Sequence, residues 1–275
     1  MFKLINQIHE EEIRTLVNIA ANSDISTIAG ELNKIIILIH SDIPDNKRIS
    51  CGRYSIARDV GLFLYPLLKE KGIDIVELAS KIFDDTGNDQ FVRSLCTQLL
   101  SIYGDETGAL NKVLPAFEKA ASDENWILRE CAAGFIRKLI IKFPDEMQIW
   151  YTMMVTSEDA LQRRFAAESL RPVADNSWIK RNPDFAFSIL ERLFKEPNSY
   201  PRTSAGNNLS DWMRIDKNRT LEIVKRLANN GDKNSYWIAY RACRNLVKKE
   251  PLLVMDILKT DRYIYKDRKF FRENL

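Results

Sequence analysis

The chain has 275 residues, 45% of them hydrophobic and 29% charged, which is long enough for a large buried core and ordinary for a soluble protein. Its longest apolar run, Ile35 to Ile39, is far too short to span a bilayer, and the N-terminus turns acidic too early for a secretory signal. The four cysteines form no Cys-x-x-Cys pair and no cluster with histidine, so neither a disulfide nor a zinc site is predicted. We therefore expect a cytoplasmic protein with buried, reduced cysteines.

The net charge of +3 hides an asymmetry along the chain. Residues 1–124 carry 13 Lys and Arg against 19 Asp and Glu, a balance of −6, whereas residues 125–275 carry 28 against 19, a balance of +9. A basic half suggests a polyanionic partner for that half, although solvated helix faces produce the same asymmetry.

The spacing of apolar residues predicts helices throughout, and no convincing alternating run typical of a strand stands out. Pro66 is expected to kink or end one of the early helices. The early helices are predicted at Glu10–Ala21, Ser26–Ile39, Ser55–Lys71 and Ile73–Phe83.

From residue 88 the chain repeats a short motif that aligns on an arginine. The aligned arginines are Arg93, Arg129, Arg164, Arg202 and Arg241, which by subtraction lie 36, 35, 38 and 39 residues apart. Between them, second helices are predicted at Ala109–Ala121, Glu146–Val155, Asp184–Phe194, Arg219–Ala228 and Pro251–Lys259.

A helix-turn-helix unit repeated at this interval is the spacing of HEAT-like repeats. We therefore predict an all-α, HEAT-like helical-repeat solenoid, curved with a concave basic face, as a single domain over residues 1–275. Its parts are acidic N-terminal helices over 1–87, repeats carrying the site over 88–260, and a C-terminal tail over 261–275.

A series of cations at regular spacing is a physical route to holding a phosphate backbone. The structural alternative is that each repeat arginine pairs with an acidic residue of the adjacent repeat. Doubled basic positions, such as Arg163 beside Arg164 and Arg244 near Arg241, favour nucleic acid. The predicted backbone-binding residues are Arg129, Arg163, Arg164, Arg202, Arg241 and Arg244.

Three acidic residues, Glu130, Glu168 and Asp211, recur in successive repeats, each in a basic neighbourhood. Trp126 precedes Glu130 by one helical turn, so the two side chains would share a helix face. This pattern predicts a site. A salt bridge to a neighbouring arginine is the structural alternative for each acid, and a buried packing position is the alternative for Trp126.

Several segments in order resemble one known family. They are Asn125-Trp-Ile-Leu-Arg-Glu-Cys-Ala, Arg163-Arg-Phe-Ala-Ala-Glu-Ser-Leu-Arg-Pro172 and Arg202-Thr-Ser-Ala-Gly-Asn-Asn-Leu-Ser-Asp211. They resemble the bacterial DNA-alkylation-repair glycosylases of the AlkC/AlkD type, and are closer to the AlkC branch. The resemblance covers about residues 88–260.

The resemblance implies a monofunctional DNA N-glycosylase that hydrolyses the glycosidic bond of alkylated, cationic bases such as 3-methyladenine. It implies double-stranded DNA carrying such bases as the partner, no metal or organic cofactor, and a monomer. Glu130, Glu168 and Asp211 then match the family's acidic positions, and Trp126 its pocket tryptophan. Asn208 stands where AlkC-like segments often have His, and is predicted to bind substrate.

The chemistry of the residues agrees with that expectation, since a carboxylate can stabilise an oxocarbenium-like sugar and guide a water molecule. Glu130 and Asp211 are the main candidates, with Glu168 in support, and Trp126 offers a cation–π surface. Two alternatives stay open: a non-catalytic repeat protein that binds DNA of unusual structure, and a protein-binding scaffold.

Overall fold

The computed structural model describes residues 5–20, 24–47, 52–85, 87–173, 176–266 and 268–274, with only the backbone of Arg53. The chain divides into two compact units, Met1–Pro144 and Asp145–Leu275. Both are built almost entirely from helices connected by short turns, and the predicted all-α helical-repeat fold is confirmed.

In the first unit the helices pack around one central helix, α5 (Gln90–Thr107). Nearly all of its residues from Val92 to Ile102 are buried, because other helices cover it on several sides. The remaining helices of this unit are α1 (Gln7–Ala20), α2 (Ile25–Ser41), α3 (Arg53–Glu70), α4 (Ile75–Asp84), α6 (Leu110–Ala121), α7 (Trp126–Phe135) and α8 (Arg137–Lys142).

In the second unit the corresponding central helix is α13 (Ser199–Trp212), which packs against the helices before and after it in the repeat series. Trp212 at its C-terminal end is completely buried. The other helices are α9 (Pro144–Thr156), which begins at the unit boundary, α10 (Ala160–Ser169), α11 (Ser177–Arg181), α12 (Pro183–Leu190), α14 (Lys217–Asn229), α15 (Lys233–Ala242) and α16 (Pro251–Leu258).

The first helix of each repeat has an Asp or Asn as its N-cap residue. Its side-chain oxygen accepts a hydrogen bond from the backbone N–H of the second helical residue, at 2.7–3.0 Å. That bond satisfies one of the amides that a helix leaves unpaired at its start. The five caps are Asp89, Asn125, Asp159, Asn198 and Asp232.

Four residues after the cap, four of these five helices carry an arginine that turns back onto the preceding loop. In α10, Arg163 donates from Nη1 to the carbonyls of Ser157 (2.8 Å) and Glu158 (2.9 Å). Arg202 in α13 makes the same contacts with Glu196 (3.5 Å) and Pro197 (3.0 Å).

The equivalent arginines of the first unit also donate to backbone carbonyls that precede their helices. Arg129 donates to the loop carbonyls of Asp123 and Glu124, the latter at 3.0 Å. Arg93 differs in its partner, since its Nε donates to the carbonyl of Phe83 in the last turn of α4, at 2.9 Å. The guanidinium therefore satisfies carbonyls of the preceding turn that the backbone cannot.

Two of these arginines also reach the next repeat. Arg93 pairs with Asp123 at 2.8 Å, and Arg163 forms a two-pronged pair with Glu196 at 2.8 and 2.9 Å. The hydrogen bonds that Arg163 donates to Glu196 raise the pKa of Arg163, although burial opposes the change. The alternative stated from the sequence was that each repeat arginine pairs with an acidic residue of the adjacent repeat. It is correct at Arg93 and at Arg163.

The geometry also corrects the sequence alignment of the repeats. Arg163, and not Arg164, occupies the repeat position in α10, since it is the fourth helical residue. In α15 the fourth residue is Tyr236, whose hydroxyl donates to the carbonyl of Leu258 at 3.1 Å. Arg241, which the alignment placed in the series, lies further along that helix.

Most predicted helices are present within a few residues of their predicted bounds, with one difference at Pro66. Helix α3 runs through this proline instead of ending there. The carbonyl that loses its partner is that of Leu62, whose side chain is half exposed, so water can replace the missing bond.

The segment expected to be a C-terminal tail contains an antiparallel hairpin, a structure that the sequence pattern did not indicate. Strand β1 (Arg262–Tyr265) pairs with β2 (Arg268–Phe271), with Tyr263 opposite Phe270 and Tyr265 opposite Arg268. Lys266 in the turn has a φ of 55°, the left-handed conformation that a tight turn requires. Two four-residue strands are too short to give a periodic signal.

The buried cysteines agree with the sequence. Cys96, Cys131 and Cys243 are all buried, and burial raises the pKa of the Cys243 thiol to about 12, while Cys51 lies outside the described residues. Over the described ranges, none of the helices combines the length and apolar character needed to cross a membrane.

The repeat arginine is expected to be a main support of the second unit. Replacing Arg163 with Ala should lower the free energy of unfolding by about 3 kcal/mol, because the Glu196 carboxylate stays buried without its partner. In the control Arg226→Ala, the pair with Glu191 is 61% and 51% exposed, so the change should stay within about 1 kcal/mol. Urea unfolding measures both, and equal midpoints would contradict the assignment.

Candidate functional site

In the first unit, the two predicted site residues of α7 lie one turn apart at its N-terminal end. Trp126 is the first helical residue and 62% of its surface is exposed. Glu130, one turn later, is half-buried. Trp150 and Trp212, by contrast, are 4% and 0% exposed. The buried-packing alternative for Trp126 is therefore wrong.

In the second unit, α10 and α13 bring the other two predicted carboxylates to one arginine. Arg171 donates from Nε and Nη2 to Oδ2 of Asp211, at 2.8 and 2.6 Å, and from Nη1 to Oε2 of Glu168 at 3.3 Å. Both carboxylates are buried, at 4% and 5% exposure. Although burial opposes it, the charges of Glu168 and Asp211 raise the pKa of Arg171.

Further contacts occupy the remaining carboxylate oxygens of this network. Ser204 donates to Oε1 of Glu168 at 2.6 Å, and Arg214 donates to Oδ1 of Asp211 at 2.9 Å. The two carboxylates are thus held by hydrogen bonds and by opposite charges on both sides. This arrangement stabilises the packing of α10 against α13, since burying a carboxylate is costly without such partners.

Asn208 was predicted to bind substrate, and the structure corrects that assignment. Its side chain is 0% exposed and donates from Nδ2 to the carbonyl of Ala167 at 2.7 Å. It therefore connects α13 to α10 inside the second unit and does not reach the surface.

The predicted backbone-binding arginines separate into three sets by their contacts. Arg129, Arg163 and Arg202 donate hydrogen bonds to carbonyls of the loop before their own helix. Arg164 lies over the Tyr200 ring, with Cζ 4.6 Å from its centroid. For the last two, Arg241 and Arg244, the described side-chain partners are neutral: Asn207 Oδ1 is 2.9 Å from Arg241 Nε, and Ser210 Oγ is 3.3 Å from Arg244 Nε.

Sequence reasoning missed the residues that connect these helices. Arg171 was visible three residues after Glu168, the spacing of an ion pair on one helix face. Its second partner, Asp211, lies forty residues away in the chain, and no local pattern indicates that contact.

Comparisons with known proteins show which solved structures share this fold. A scan found no protein-family model that matches the chain, and a search of curated proteins found no match. Among solved structures, AlkD2 from Streptococcus mutans has a TM-score of 0.60 at 20% identity, covering 80% of this chain and 98% of its own.

Two further solved structures agree with the first. The alkylpurine DNA glycosylase AlkC from Pseudomonas fluorescens, bound to DNA with an abasic-site analogue, has a TM-score of 0.57 at 16% identity, covering 94% of this chain and 67% of its own. The smu.31 protein of Streptococcus mutans has a TM-score of 0.53 at 21% identity, covering 70% of this chain and 96% of its own.

The chain has the AlkC/AlkD fold. The resemblance found in the sequence is confirmed at the level of the fold. Placement of the chain in the AlkC branch stays a prediction. Within the AlkC/AlkD fold of this chain, α7 carries the exposed indole and its neighbouring carboxylate. Helices α10 and α13 carry the buried carboxylate network.

The buried network gives a stability prediction. Arg171→Ala should lower the free energy of unfolding by about 3 kcal/mol, because two buried carboxylates lose a shared cation. Arg214→Ala removes a side chain that is 68% exposed and should cost no more than about 1 kcal/mol. Chemical unfolding of both variants measures this difference. A smaller loss for Arg171→Ala than for Arg214→Ala would show that the network does not support the unit.

Proposed function

We propose that this protein is a DNA N-glycosylase that hydrolyses the glycosidic bond of alkylated, cationic bases such as 3-methyladenine in double-stranded DNA. The fold supports the proposal, since it is shared with an alkylpurine DNA glycosylase solved on DNA. The observation that carries it is the exposed indole of Trp126 one turn before the half-buried Glu130.

The tryptophan at the start of α7 keeps most of its indole exposed. Burying an aromatic side chain of this size stabilises a protein by about 2 kcal/mol or more, which the chain forgoes at Trp126. A flat π surface attracts a cation placed over its face. An alkylated purine is such a cation, and we propose that Trp126 contacts the lesion or its sugar.

The reaction then requires little from the protein. The C1′–N bond breaks and its electron pair passes to the cationic base, which leaves as a neutral molecule. Water adds to C1′ of the oxocarbenium-like sugar and gives up a proton. In the proposal, the Glu130 carboxylate stabilises the developing positive charge and accepts that proton, as the second carboxylate does in glycoside hydrolysis.

Glu168 and Asp211 take a different role from the one that the sequence suggested. Their oxygens are engaged by Ser204, Arg171 and Arg214 inside the second unit. We assign them to holding α10 against α13, and keep Glu130 as the proposed catalytic carboxylate. No metal or organic cofactor enters this chemistry.

One observation favours a second function, DNA binding without hydrolysis. Two of the three predicted catalytic carboxylates are at most 5% exposed and fully occupied by internal partners. A protein with this fold but no reactive carboxylate would still share its architecture with a glycosylase solved on DNA. The activity test below separates the two functions.

The catalytic prediction concerns base release from alkylated DNA. The wild-type protein should release 3-methyladenine from methylated duplex DNA, measured by chromatography of the free base. Glu130→Gln should reduce the single-turnover rate about 100-fold or more, because a preorganised charge at the reacting centre is lost.

The matched control for that variant is Glu124→Gln, which makes the same change at an exposed position in the loop before α7. It should retain the wild-type rate. Release by Glu130→Gln at the wild-type rate would remove this residue from the mechanism. A wild-type protein that binds DNA without releasing base would establish the second function instead.

The role of Trp126 predicts a binding defect without a folding defect. Trp126→Ala should weaken the apparent affinity for lesion DNA about tenfold, and Trp126→Phe should recover part of it, since a smaller ring keeps a cation–π surface. Melting temperatures should differ little, because the indole is mostly exposed. Ile141→Ala, at another exposed apolar residue of the first unit, serves as control. Equal lesion affinity for both alanine variants would refute the contact.

A further inference from the structure

The C-terminal hairpin is fixed to α15 by a reciprocal contact between two tyrosines. The Tyr240 and Tyr263 rings stack, with centroids 4.3 Å apart. The Tyr263 hydroxyl donates to the carbonyl of Tyr240 at 2.8 Å, and the Tyr240 hydroxyl donates to the carbonyl of Ile264 at 2.6 Å. Tyr263 is completely buried, so the hairpin is a packed part of the second unit.

This docking places the cross-strand pair of Tyr265 and Arg268 beside two arginines. Arg241 lies in the last turn of α15, and Arg244 lies just after the helix ends. Arg241 Cζ lies 5.4 Å from the centroid of the Tyr265 ring, and Arg268 Cζ lies 5.9 Å from it. Arg268 also donates to the carbonyl of Arg244 at 2.7 Å. The guanidinium groups of Arg241 and Arg268, and that of Arg244 through a hydrogen bond, therefore lie around the half-buried phenol of Tyr265. The exposed Lys266 lies at its edge, with Nζ 5.9 Å from the ring centroid.

The cations of this cluster have neutral partners. Arg241 and Arg244 share the Oδ1 atom of Asn207, and no described carboxylate forms an ion pair with Arg241, Arg244 or Arg268. Elsewhere in the second unit, several partly buried arginines are paired with carboxylates, whereas Arg202 is held by loop carbonyls and by Asn234. Examples of such pairs are Arg163 with Glu196, Arg171 with Asp211 and Arg219 with Asp184, at 2.6–2.8 Å.

The pKa shifts of Arg241 and Tyr265 agree with a locally positive site. Burial lowers the pKa of the Arg241 guanidinium and Arg244 lowers it further, although Tyr265 acts in the opposite direction. Burial alone would raise the pKa of the Tyr265 phenol. The charge of Arg241 and a hydrogen bond from Arg244 outweigh that effect and lower its pKa below the usual value.

The approach of α15 to α13 also depends on one glycine. A Cβ at Gly206 would lie 2.9 Å from the Cβ of Arg241, closer than ordinary contacts permit. Glycine at this position lets the arginine stem pass over α13 and reach Asn207. The position of Arg241 is therefore set by the packing of the unit, and not by a surface rotamer.

We propose that Arg241, Arg244, Arg268 and Tyr265 form a binding site for one backbone phosphate of duplex DNA, which joins the hairpin to the last repeat. This inference rests on the proposed function for its ligand. Guanidinium groups match the planar, two-oxygen geometry of a phosphodiester, and a phenol adds a further polar contact. The hairpin thus adds a DNA contact beyond the repeat helices.

The test measures the affinity of the full chain for an undamaged duplex oligonucleotide over a range of salt concentrations. Arg268→Gln should weaken binding about tenfold at low salt, and should reduce the slope of log affinity against log salt by about 0.9, the loss of one phosphate contact. Arg262→Gln, on the opposite face of the same hairpin, is the matched control and should change neither.

A combined variant distinguishes one shared phosphate from two separate ones. If Arg244 and Arg268 hold the same phosphate, Arg244→Gln/Arg268→Gln should reduce the slope by about 0.9, as each single variant does. A loss of about 1.8 would overturn the shared site. Should the Arg244 variants fail to fold, Lys266→Gln at an exposed position should still weaken binding about threefold, and no change there would overturn the proposal.

A free phosphate ion is the other source of the same chemistry. Millimolar inorganic phosphate that raises the melting temperature of the wild type but not of Arg268→Gln, with equal DNA slopes for both, would overturn the DNA assignment. Failure of the wild type to bind duplex DNA would refute the proposed function as well. Wild-type DNA binding with an unaltered Arg268→Gln variant would refute only the hairpin site.

Discussion

The fold of this chain depends on a guanidinium group that turns back onto the loop before its own helix. An Asp or Asn cap starts the helix, and the arginine four residues later satisfies carbonyls of the preceding turn. In α10 the same group also pairs with Glu196 of the next repeat. One side chain thus closes a turn and connects two repeats, which is why a single arginine recurs at this interval.

This use of arginine changes how the charge of the chain is interpreted. The basic balance of residues 125–275 suggested a long series of cations for a polyanion, yet Arg129, Arg163 and Arg202 are occupied inside the fold. Arg171 is likewise committed to Glu168 and Asp211. Around α15 and the hairpin, by contrast, Arg241, Arg244 and Arg268 form no ion pair with a described carboxylate. Net charge therefore overstates how much of the positive charge is available to a ligand.

The same distinction applies to the acidic residues. Glu168 and Asp211 lie in successive repeats, and the sequence pattern predicted them to be reactive groups. Their burial and their arginine partners make them structural, because an isolated carboxylate in that environment would be strongly destabilising. Trp126 shows the reverse: its residue type favours the interior, but its place at the start of α7 leaves it exposed.

The sequence by itself determined the helical class, the repeat interval and the resemblance to AlkC/AlkD proteins, because helix periodicity and recurring arginine motifs are local patterns. It did not determine which arginine of the pair at 163 and 164 holds the repeat position, since adjacent residues differ by about 100° around a helix and only packing selects one. Nor did it indicate the pairing of Arg171 with Asp211 or the docking of the hairpin on Tyr240. Those contacts join residues 20 to 40 positions apart, and only the tertiary structure decides which of them meet.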